Sequence, residues 1–226
     1  MKKTKISSYQ EGSKALKKQL SESISPNAFS VFNSDAEELN KEHTAILKRN
    51  VGDKAPNFRL LNTANEPVNL YDVLQTKKVV LTFYKGTWCP YCNLMLNHYQ
   101  TALPEIQKAE GTILAISPQT PDESLNIKEK NKVEFQILSD NGNIVANEFT
   151  TIHKMPEKSL VAMTELGKDY DSHYCDESSE IPIPATFIIQ KNGTISFAKT
   201  EGGDYRNRVE SSEIINALNN TKSQSL

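Results

Sequence analysis

The hydrophobic pattern of the chain changes near residue 50. From Val51 onward, short apolar runs of strand length alternate with segments of helical spacing, and the runs at 79–84 and 113–116 are almost continuously apolar. Such runs are typical of central strands that are covered on both faces of a sheet. The alternation therefore predicts an α/β domain over residues 51–220.

The predicted strands also indicate how the sheet is connected. Lys191-Asn192-Gly193 separates the last two apolar runs, and an Asn-Gly step between such runs predicts an antiparallel hairpin. We therefore expect a central mixed β-sheet flanked by helices, closed by a helix over 211–219 and followed by a frayed tail over 221–226. The predicted strands are 57–61, 79–84, 112–117, 134–138, 185–190 and 194–199.

Residues 1–50 differ from the rest of the chain in composition and in hydrophobic pattern. They are rich in Lys, Ser, Asn and Glu, and Leu16, Leu20 and Ile24 recur at intervals of four, which is the spacing of one helix face. A second helix is expected over 34–48. We predict an N-terminal helical extension that packs on the main body or on another copy of the chain, as in a homodimer. A frayed tail is the alternative.

The composition excludes several classes of protein. The chain has 226 residues, of which 37% are hydrophobic and 24% charged, and its formal net charge is −2, so nothing favours nucleic acid as a partner. No stretch of about 18 apolar residues could cross a membrane. The basic first residues are not followed by the apolar core of a signal peptide. The cytoplasm is therefore the expected compartment.

Two of the three cysteines give the strongest chemical signal. Cys89 and Cys92 follow a strand-like segment directly and precede a helix-like one. Residues three apart share a helix face and lie close enough for a disulfide. In a reducing compartment such a Cys-x-x-Cys pair is more often catalytic or metal-binding than structural. We predict a redox site that needs no cofactor.

The place of each cysteine in the helix predicts an order of reaction. Cys89 stands next to Pro90 at the first helical position, where the free amides and the dipole of the helix favour a thiolate. We expect a lowered pKa for Cys89, and a less exposed and less acidic Cys92. Cys89 then attacks an oxidant, Cys92 resolves the adduct as a Cys89–Cys92 disulfide, and an external dithiol reduces the pair.

Other roles for these side chains stay open. The pair could form half of a zinc site with His98, or with His173 and Cys175, but neither set supplies a second pair at familiar spacing, so no metal is expected. The two thiols could also be inert and buried. Cys175 lies in an acidic loop and is interpreted as an incidental surface thiol, with a second resolving cysteine as the alternative. His98 is interpreted as a solvated or packed side chain.

Three segments carry a resemblance to a known family. They are Val51-Gly52-Asp53-Lys54-Ala55-Pro56-Asn57-Phe58, Gly86-Thr87-Trp88-Cys89-Pro90-Tyr91-Cys92 and Ile183-Pro184-Ala185-Thr186-Phe187. With them, residues 51–220 resemble the thioredoxin-like superfamily and, within it, the alkyl hydroperoxide reductase and thiol-specific antioxidant branch of peroxiredoxins. The resemblance implies a thioredoxin-like fold. It also implies that Pro184 has a cis bond, lies beside the cysteines and borders the substrate groove.

The chain departs from the peroxiredoxin pattern in one respect. That family shows Pro-x-x-x-Thr/Ser-x-x-Cys, in which the hydroxyl helps to position the peroxide. Counting back from Cys89 gives Gly86 and Thr82, and counting back from Cys92 gives Cys89 and Lys85. The signature is therefore absent in either register.

Four residues complete the set of candidates around the site. Thr87 could supply the missing hydroxyl, although shaping the turn is its simpler role, and Trp88 would crowd the site and limit the access of water. Arg206 and Arg208 are the arginines near the end of the domain. Surface salt bridges are the simplest interpretation of both.

The resemblance implies a thiol peroxidase. Cys89 would take oxygen from a hydroperoxide, Cys92 would resolve, and a thioredoxin-type dithiol would restore the pair. A thiol–disulfide oxidoreductase acting on protein disulfides is the alternative, because Cys-x-x-Cys and a cis-proline serve that chemistry equally well. A third hypothesis, outside enzymes, is a redox-sensing module that changes partners when the disulfide forms.

Overall fold

The computed structural model describes residues 8–168, 170, 173–174 and 178–220, and the side chains of all of these except 126, 127 and 130. Cys175 and the predicted tail at 221–226 lie outside the described residues. None of the described helices is both long and apolar enough to cross a bilayer.

Helices and strands alternate along the described chain. The helices are α1 (Tyr9–Ser23), α2 (Pro26–Glu42), α3 (Leu70–Leu74), α4 (Pro90–Lys108), α5 (Pro121–Lys130), α6 (Ala146–Phe149), α7 (Glu157–Glu165) and α8 (Ser211–Asn220). The strands are β1 (Arg59–Asn62), β2 (Pro67–Asn69), β3 (Lys78–Phe83), β4 (Gly111–Ser117), β5 (Gln136–Ser139), β6 (Ile152–Lys154), β7 (Glu180–Pro182), β8 (Ala185–Ile189) and β9 (Ile195–Lys199). Each predicted strand is present, close to its predicted bounds.

A seven-stranded mixed sheet forms the centre, with the strand order β2-β1-β5-β4-β3-β8-β9. β4 pairs in parallel with β3 and with β5, whereas β8 pairs antiparallel with β3 and with β9. The predicted mixed sheet and terminal hairpin are thereby confirmed. The strands β2, β6 and β7 were not predicted, because three residues are too few to show an alternating pattern.

The central strands are covered on both faces, which explains their continuous apolar runs. All six residues of β3 are buried, and successive side chains point to opposite faces of the sheet. Val80 packs with residues of α4 and α8, whereas Leu81 and Phe83 pack on the other face with residues of α3 and α6. The C-terminal end of β3, which leads to the cysteines, is therefore firmly anchored.

The second N-terminal helix begins and ends earlier than its periodicity predicts. α2 spans Pro26–Glu42, not 34–48, and residues 43–48 are not helical. Ser25 caps the helix, since its side chain accepts a hydrogen bond from the backbone N–H of Ala28 at 3.2 Å, and Pro26 occupies the first turn. Ser followed by Pro is a helix-start signal, and it outweighed the apolar spacing further along.

The extension packs on the body of its own chain. The hydroxyl of Tyr9 donates to the carbonyl oxygen of Arg206 at 3.0 Å. The Glu210 carboxylate accepts hydrogen bonds from the Ser8 hydroxyl at 2.7 Å and from the backbone N–H groups of Tyr9 and Gln10 at 3.0 and 2.9 Å. Because these amides belong to the N-terminus of α1, a carboxylate there holds the helix firmly in place.

The predicted cis bond before Pro184 is wrong, since the described residues contain no cis peptide bond. Pro184 lies between β7 and β8, where the chain runs extended. Ile183, the residue before Pro184, makes two hydrogen bonds. Its N–H donates to the Thr151 carbonyl at 2.9 Å, and its carbonyl accepts from the Thr150 hydroxyl at 2.9 Å. The trans form is the ordinary one for a bond before proline.

Candidate active site

The cysteines lie where the sequence places them, at the start of the helix that follows the central strand. Cys89 is the N-cap residue of α4 and Pro90 follows in its first turn. Cys92 lies within that turn, where its N–H donates to the Cys89 carbonyl at 3.1 Å. Both thiols are free, and they are 2% and 0% exposed.

Side chains from later elements hold the turn before the helix. Gln119, which follows β4, accepts from the Thr87 N–H at 2.6 Å and donates to the Thr87 hydroxyl at 3.0 Å. The Asn93 amide donates to the carbonyls of Thr87 and Cys89 at 2.7 and 2.9 Å. Thr87 is thus bonded into the turn through its N–H, its hydroxyl and its carbonyl.

Gly86 is required in this turn by close approach. A Cβ atom at this position would lie 2.7 Å from Trp88 Nε1 and 2.9 Å from the Tyr174 hydroxyl. Those two atoms are themselves joined, since the Trp88 indole N–H donates to the Tyr174 hydroxyl at 2.6 Å, and that hydroxyl donates to the Lys85 carbonyl at 2.9 Å. Trp88 is therefore held in a fixed orientation beside the cysteines.

Arg208 is buried against the cysteines, so the interpretation of this residue as a surface salt bridge is wrong. It is 6% exposed, and Nη2 donates to Cys92 Sγ at 3.3 Å. Nη1 donates to the carbonyls of Tyr205 and Asn207. Arg206 does form the expected ion pair, with Asp204 at 2.7 Å. The buried neighbours Tyr205 and Val209 are the only local signal that the chain turns inward here.

The electrostatics reverse the expected acidity of the two thiols. Burial opposes ionisation of Cys92, but a hydrogen bond from the Cys89 thiol, the Arg208 charge and the backbone N–H groups of Gly86 and Lys85 hold its pKa well below the ordinary value. Burial, followed by the hydrogen bond and charge of Cys92, raises the pKa of Cys89. The lowered pKa and the hydrogen bond from Arg208 both favour Cys92 as the thiolate of the pair.

A cavity of about 180 Å³ opens beside Cys89. Most of its wall is apolar, and the N-terminal helices supply much of it. Lys85, Asp35 and Trp88 also line the cavity, whereas Cys92 and Pro184 do not. The residues lining it from the extension are Leu20, Ile24, Phe29, Phe32, Asn33 and Asp35. Of the two sulfurs, Cys89 is therefore the one that faces this space.

The histidines considered for a zinc site have other partners. His98 is packed, as one interpretation expected: it is 7% exposed and accepts from the Ser211 N–H at 3.2 Å. His173 Nδ1 lies 2.8 Å from the Glu123 carboxylate. Over the described part of the chain, no three His, Cys, Asp or Glu side chains are grouped so that they could hold a metal ion.

His153 predicts how stability depends on pH. Burial, helped by the nearby Lys85 charge, lowers its pKa from 6.5 to about 3. Because the unfolded chain binds this proton more readily, the contribution of His153 is complete above pH 6.5 and falls as the pH drops towards 3, by about 1.4 kcal/mol per pH unit. Between pH 6.5 and 5, urea unfolding of the wild type should lose about 2 kcal/mol more than that of His153→Gln. Equal losses would contradict this.

Two neighbouring thiols of different acidity can undergo oxidation and reduction of sulfur. The protein is a thiol-dependent oxidoreductase. A sequence model of the AhpC/TSA family matches residues 51–198. The chain belongs to that family. The matched region contains both cysteines, whereas the N-terminal extension and Arg208 lie beyond it.

Similar proteins agree with this assignment. Peroxiredoxin Bcp of Escherichia coli K12 is 32% identical over 120 residues, which cover 53% of this chain and 71% of that protein. Peroxidoxin BcpB of Mycobacterium tuberculosis superposes with a TM-score of 0.59 at 18% identity, over 75% of this chain and 96% of that one. A mutant of PrxQ from Xylella fastidiosa gives 0.58 at 19% identity, over 78% and 98%. The thioredoxin-like fold is confirmed.

Proposed function

We propose that this protein is a thiol-dependent peroxidase in which Cys92 attacks the hydroperoxide and Cys89 resolves the product. The observation that carries this order is the Arg208 guanidinium, 3.3 Å from Cys92 Sγ. The thiolate is the nucleophile in such reactions and the thiol is not. The order is thus the reverse of the one that the helix position alone favours, because a charged side chain outweighs the N-cap position.

The reaction balances with the groups present. The Cys92 thiolate attacks the terminal peroxide oxygen, the O–O bond breaks, and the leaving oxygen takes a proton and departs as water or an alcohol. Cys92 is left as sulfenic acid. Cys89 loses its proton and attacks Cys92, so that the S–O bond breaks, hydroxide is protonated to water and the disulfide forms. The two cysteines lie at the N-cap and in the first turn of α4, a spacing that lets a disulfide close without a large movement of the backbone.

The position of Cys89 at the cavity supports a dithiol reductant of the thioredoxin type. Cys89 faces the cavity, so an external thiolate would attack there and release Cys92. A thiol of low pKa is the better leaving group, and Arg208 stabilises the Cys92 thiolate as it departs. We propose the cytoplasm as the compartment, because such a donor operates where thiols are kept reduced.

One observation favours a hydroperoxide over a protein disulfide as the substrate. Cys92, the attacking thiol of the proposal, is fully buried and does not line the cavity, so a small peroxide reaches it more readily than a protein disulfide does. Cys89, Trp88 and the apolar wall of the cavity are the groups that the substrate would meet first.

Trapping the first product tests the proposed order. Cys89→Ser, made together with Cys175→Ser, should react with one equivalent of hydrogen peroxide about as fast as the Cys175→Ser parent and then accumulate sulfenic acid. Labelling with a dimedone-type reagent followed by peptide mass spectrometry should find that acid on Cys92. A Cys89→Ser protein that no longer reacts with peroxide would assign the first step to Cys89 and overturn the proposal.

A further inference from the structure

Lys85 is a buried cation beside the cysteines. It is 1% exposed, and its Nζ lies 3.4 Å from the centroid of the Tyr205 ring and 5.2 Å from that of Trp88. Lysine is almost never fully buried unless it is paired. The faces of two aromatic rings attract an ammonium group, so this pocket accommodates a charge.

Asp35 is a buried carboxylate at the same cavity. It belongs to α2 of the N-terminal extension, is 2% exposed, and its Oδ2 has no hydrogen-bond partner among the described residues. Asp35, Lys85 and Cys89 line one cavity. A buried carboxylate is costly unless a positive charge faces it, and Lys85 is the lysine so placed.

The charges of these groups influence one another. Burial lowers the pKa of Lys85, whereas the negative charges of Cys89 and Asp35 raise it. Lys85 in turn lowers the pKa of Cys89, against burial and against the charge of Cys92. The titratable and charged groups that face Lys85 are Cys89 and Cys92 of α4, Asp35 of α2, His153 of β6, and Tyr205 and Arg208 of the segment before α8.

We propose that Lys85 is a positioning residue that makes Cys89 a competent resolving thiol by stabilising its thiolate, and that Asp35 of the N-terminal extension keeps Lys85 charged. The inference rests on the proposed function, in which Cys92 is oxidised first. Sulfenic acid on Cys92 carries no charge, so the thiolate that opposed ionisation of Cys89 disappears at that step. Lys85 then faces the Cys89 thiolate as it attacks.

The N-terminal extension therefore has a role in the reaction besides covering the body. The family match begins at residue 51, so Asp35 belongs to a part of this chain that the family pattern does not contain. Its carboxylate enters the site from outside the thioredoxin-like body. The chemistry of disulfide closure should accordingly depend on a residue of the extension.

Stopped-flow measurements on the full chain separate the two steps, because the first oxidation depends on peroxide concentration and closure does not. In a Cys175→Ser background, Lys85→Met should slow closure at pH 7 about tenfold, a larger factor than its effect on the first step. The pH at which closure reaches half its maximal rate should rise by about one unit. Mass spectrometry of acid-quenched samples measures both steps independently of Trp88 fluorescence.

Asp35→Asn gives a second variant, which keeps the volume of the buried group and removes only its charge. It should slow closure in the same direction as Lys85→Met, by a smaller factor. Lys158→Met is the matched control. Lys158 of α7 pairs at 2.6 Å with Glu38, which lies on α2 like Asp35, but this ion pair is exposed. This variant should leave both steps unchanged.

The outcomes distinguish the two proposals. If both Lys85→Met and Asp35→Asn leave the closure rate and its pH dependence unchanged, Lys85 does not act on Cys89 and this inference is overturned. If Cys92 never forms sulfenic acid in the parent protein, the proposed function fails instead. Slowed closure with an unaltered pH profile would indicate a structural role only and would also overturn the inference.

Discussion

Cys92→Ser should lose the rapid reaction with peroxide altogether. The substitution removes the sulfur that Arg208 stabilises as a thiolate and leaves Cys89 as a buried thiol whose pKa burial raises. A thiol of ordinary pKa is only a few per cent ionised at neutral pH. Burial still opposes ionisation of Cys89 in this variant, but the opposing charge of Cys92 is gone, so a slow residual reaction of Cys89 is expected. Stopped-flow fluorescence measures the loss directly, because Trp88 is the single tryptophan of the chain and lines the same cavity.

The matched control is Cys89→Ser, which makes the same replacement of sulfur by oxygen at the neighbouring cysteine. Both variants should be made with Cys175→Ser, so that no third thiol contributes to the signal. The far-ultraviolet circular dichroism of the two proteins should be the same, because each replaces a buried thiol with a hydroxyl of similar size. Rapid oxidation of Cys92→Ser, with sulfenic acid on Cys89, would restore the order that the helix position predicts.

Arg208→Met should slow the first oxidation at pH 7 about 100-fold, since a hydrogen bond to a charged group contributes about 1.5–3 kcal/mol. Met keeps much of the buried volume and removes the positive charge. The pKa of Cys92 should rise, because Arg208 is among the groups that lower it. The variant should therefore recover rate as the pH increases, whereas the wild type, in which Arg208 lowers the pKa of Cys92, should change less over the same range. A pH series of second-order rate constants measures both effects.

Arg49→Met provides the comparison for this result. The Arg49 guanidinium pairs with Glu148, and Arg49 does not line the cavity beside Cys89. Its replacement should leave the rate and the pH profile close to those of the wild type. Because Arg208 also donates to the carbonyls of Tyr205 and Asn207, unfolding should be measured for each variant. An Arg208→Met protein that folds and reacts at the wild-type rate would show that Cys92 does not depend on this cation.

Much of the body could be predicted from local pattern. The buried strand β3 is visible as an apolar run, the hairpin of β8 and β9 is marked by Asn192-Gly193, and the start of α4 is marked by Pro90. These features are predictable because each depends on residues close together in the chain. The bounds of α2 were missed although Ser25 and Pro26 signal them, because the apolar spacing further along was given more weight.

The chemistry of the site depends on contacts between distant parts of the chain. Arg208 meets Cys92 across 116 positions of sequence, and no local pattern distinguishes it from Arg206, which pairs with Asp204. Asp35 and Lys85 line one cavity although they belong to the extension and to the body. The short motif around Pro184 likewise does not reveal that the bond before this proline is trans.

The sequence by itself determined that two thiols stand three residues apart at the beginning of a helix, behind a buried strand, and hence that sulfur redox chemistry takes place there. Only the tertiary structure favours one of the two as the thiolate. The physical reason is that the pKa of a buried thiol is set mainly by the charges and donors that surround it, and here the Arg208 charge comes from a distant segment that the fold brings to the cysteine turn.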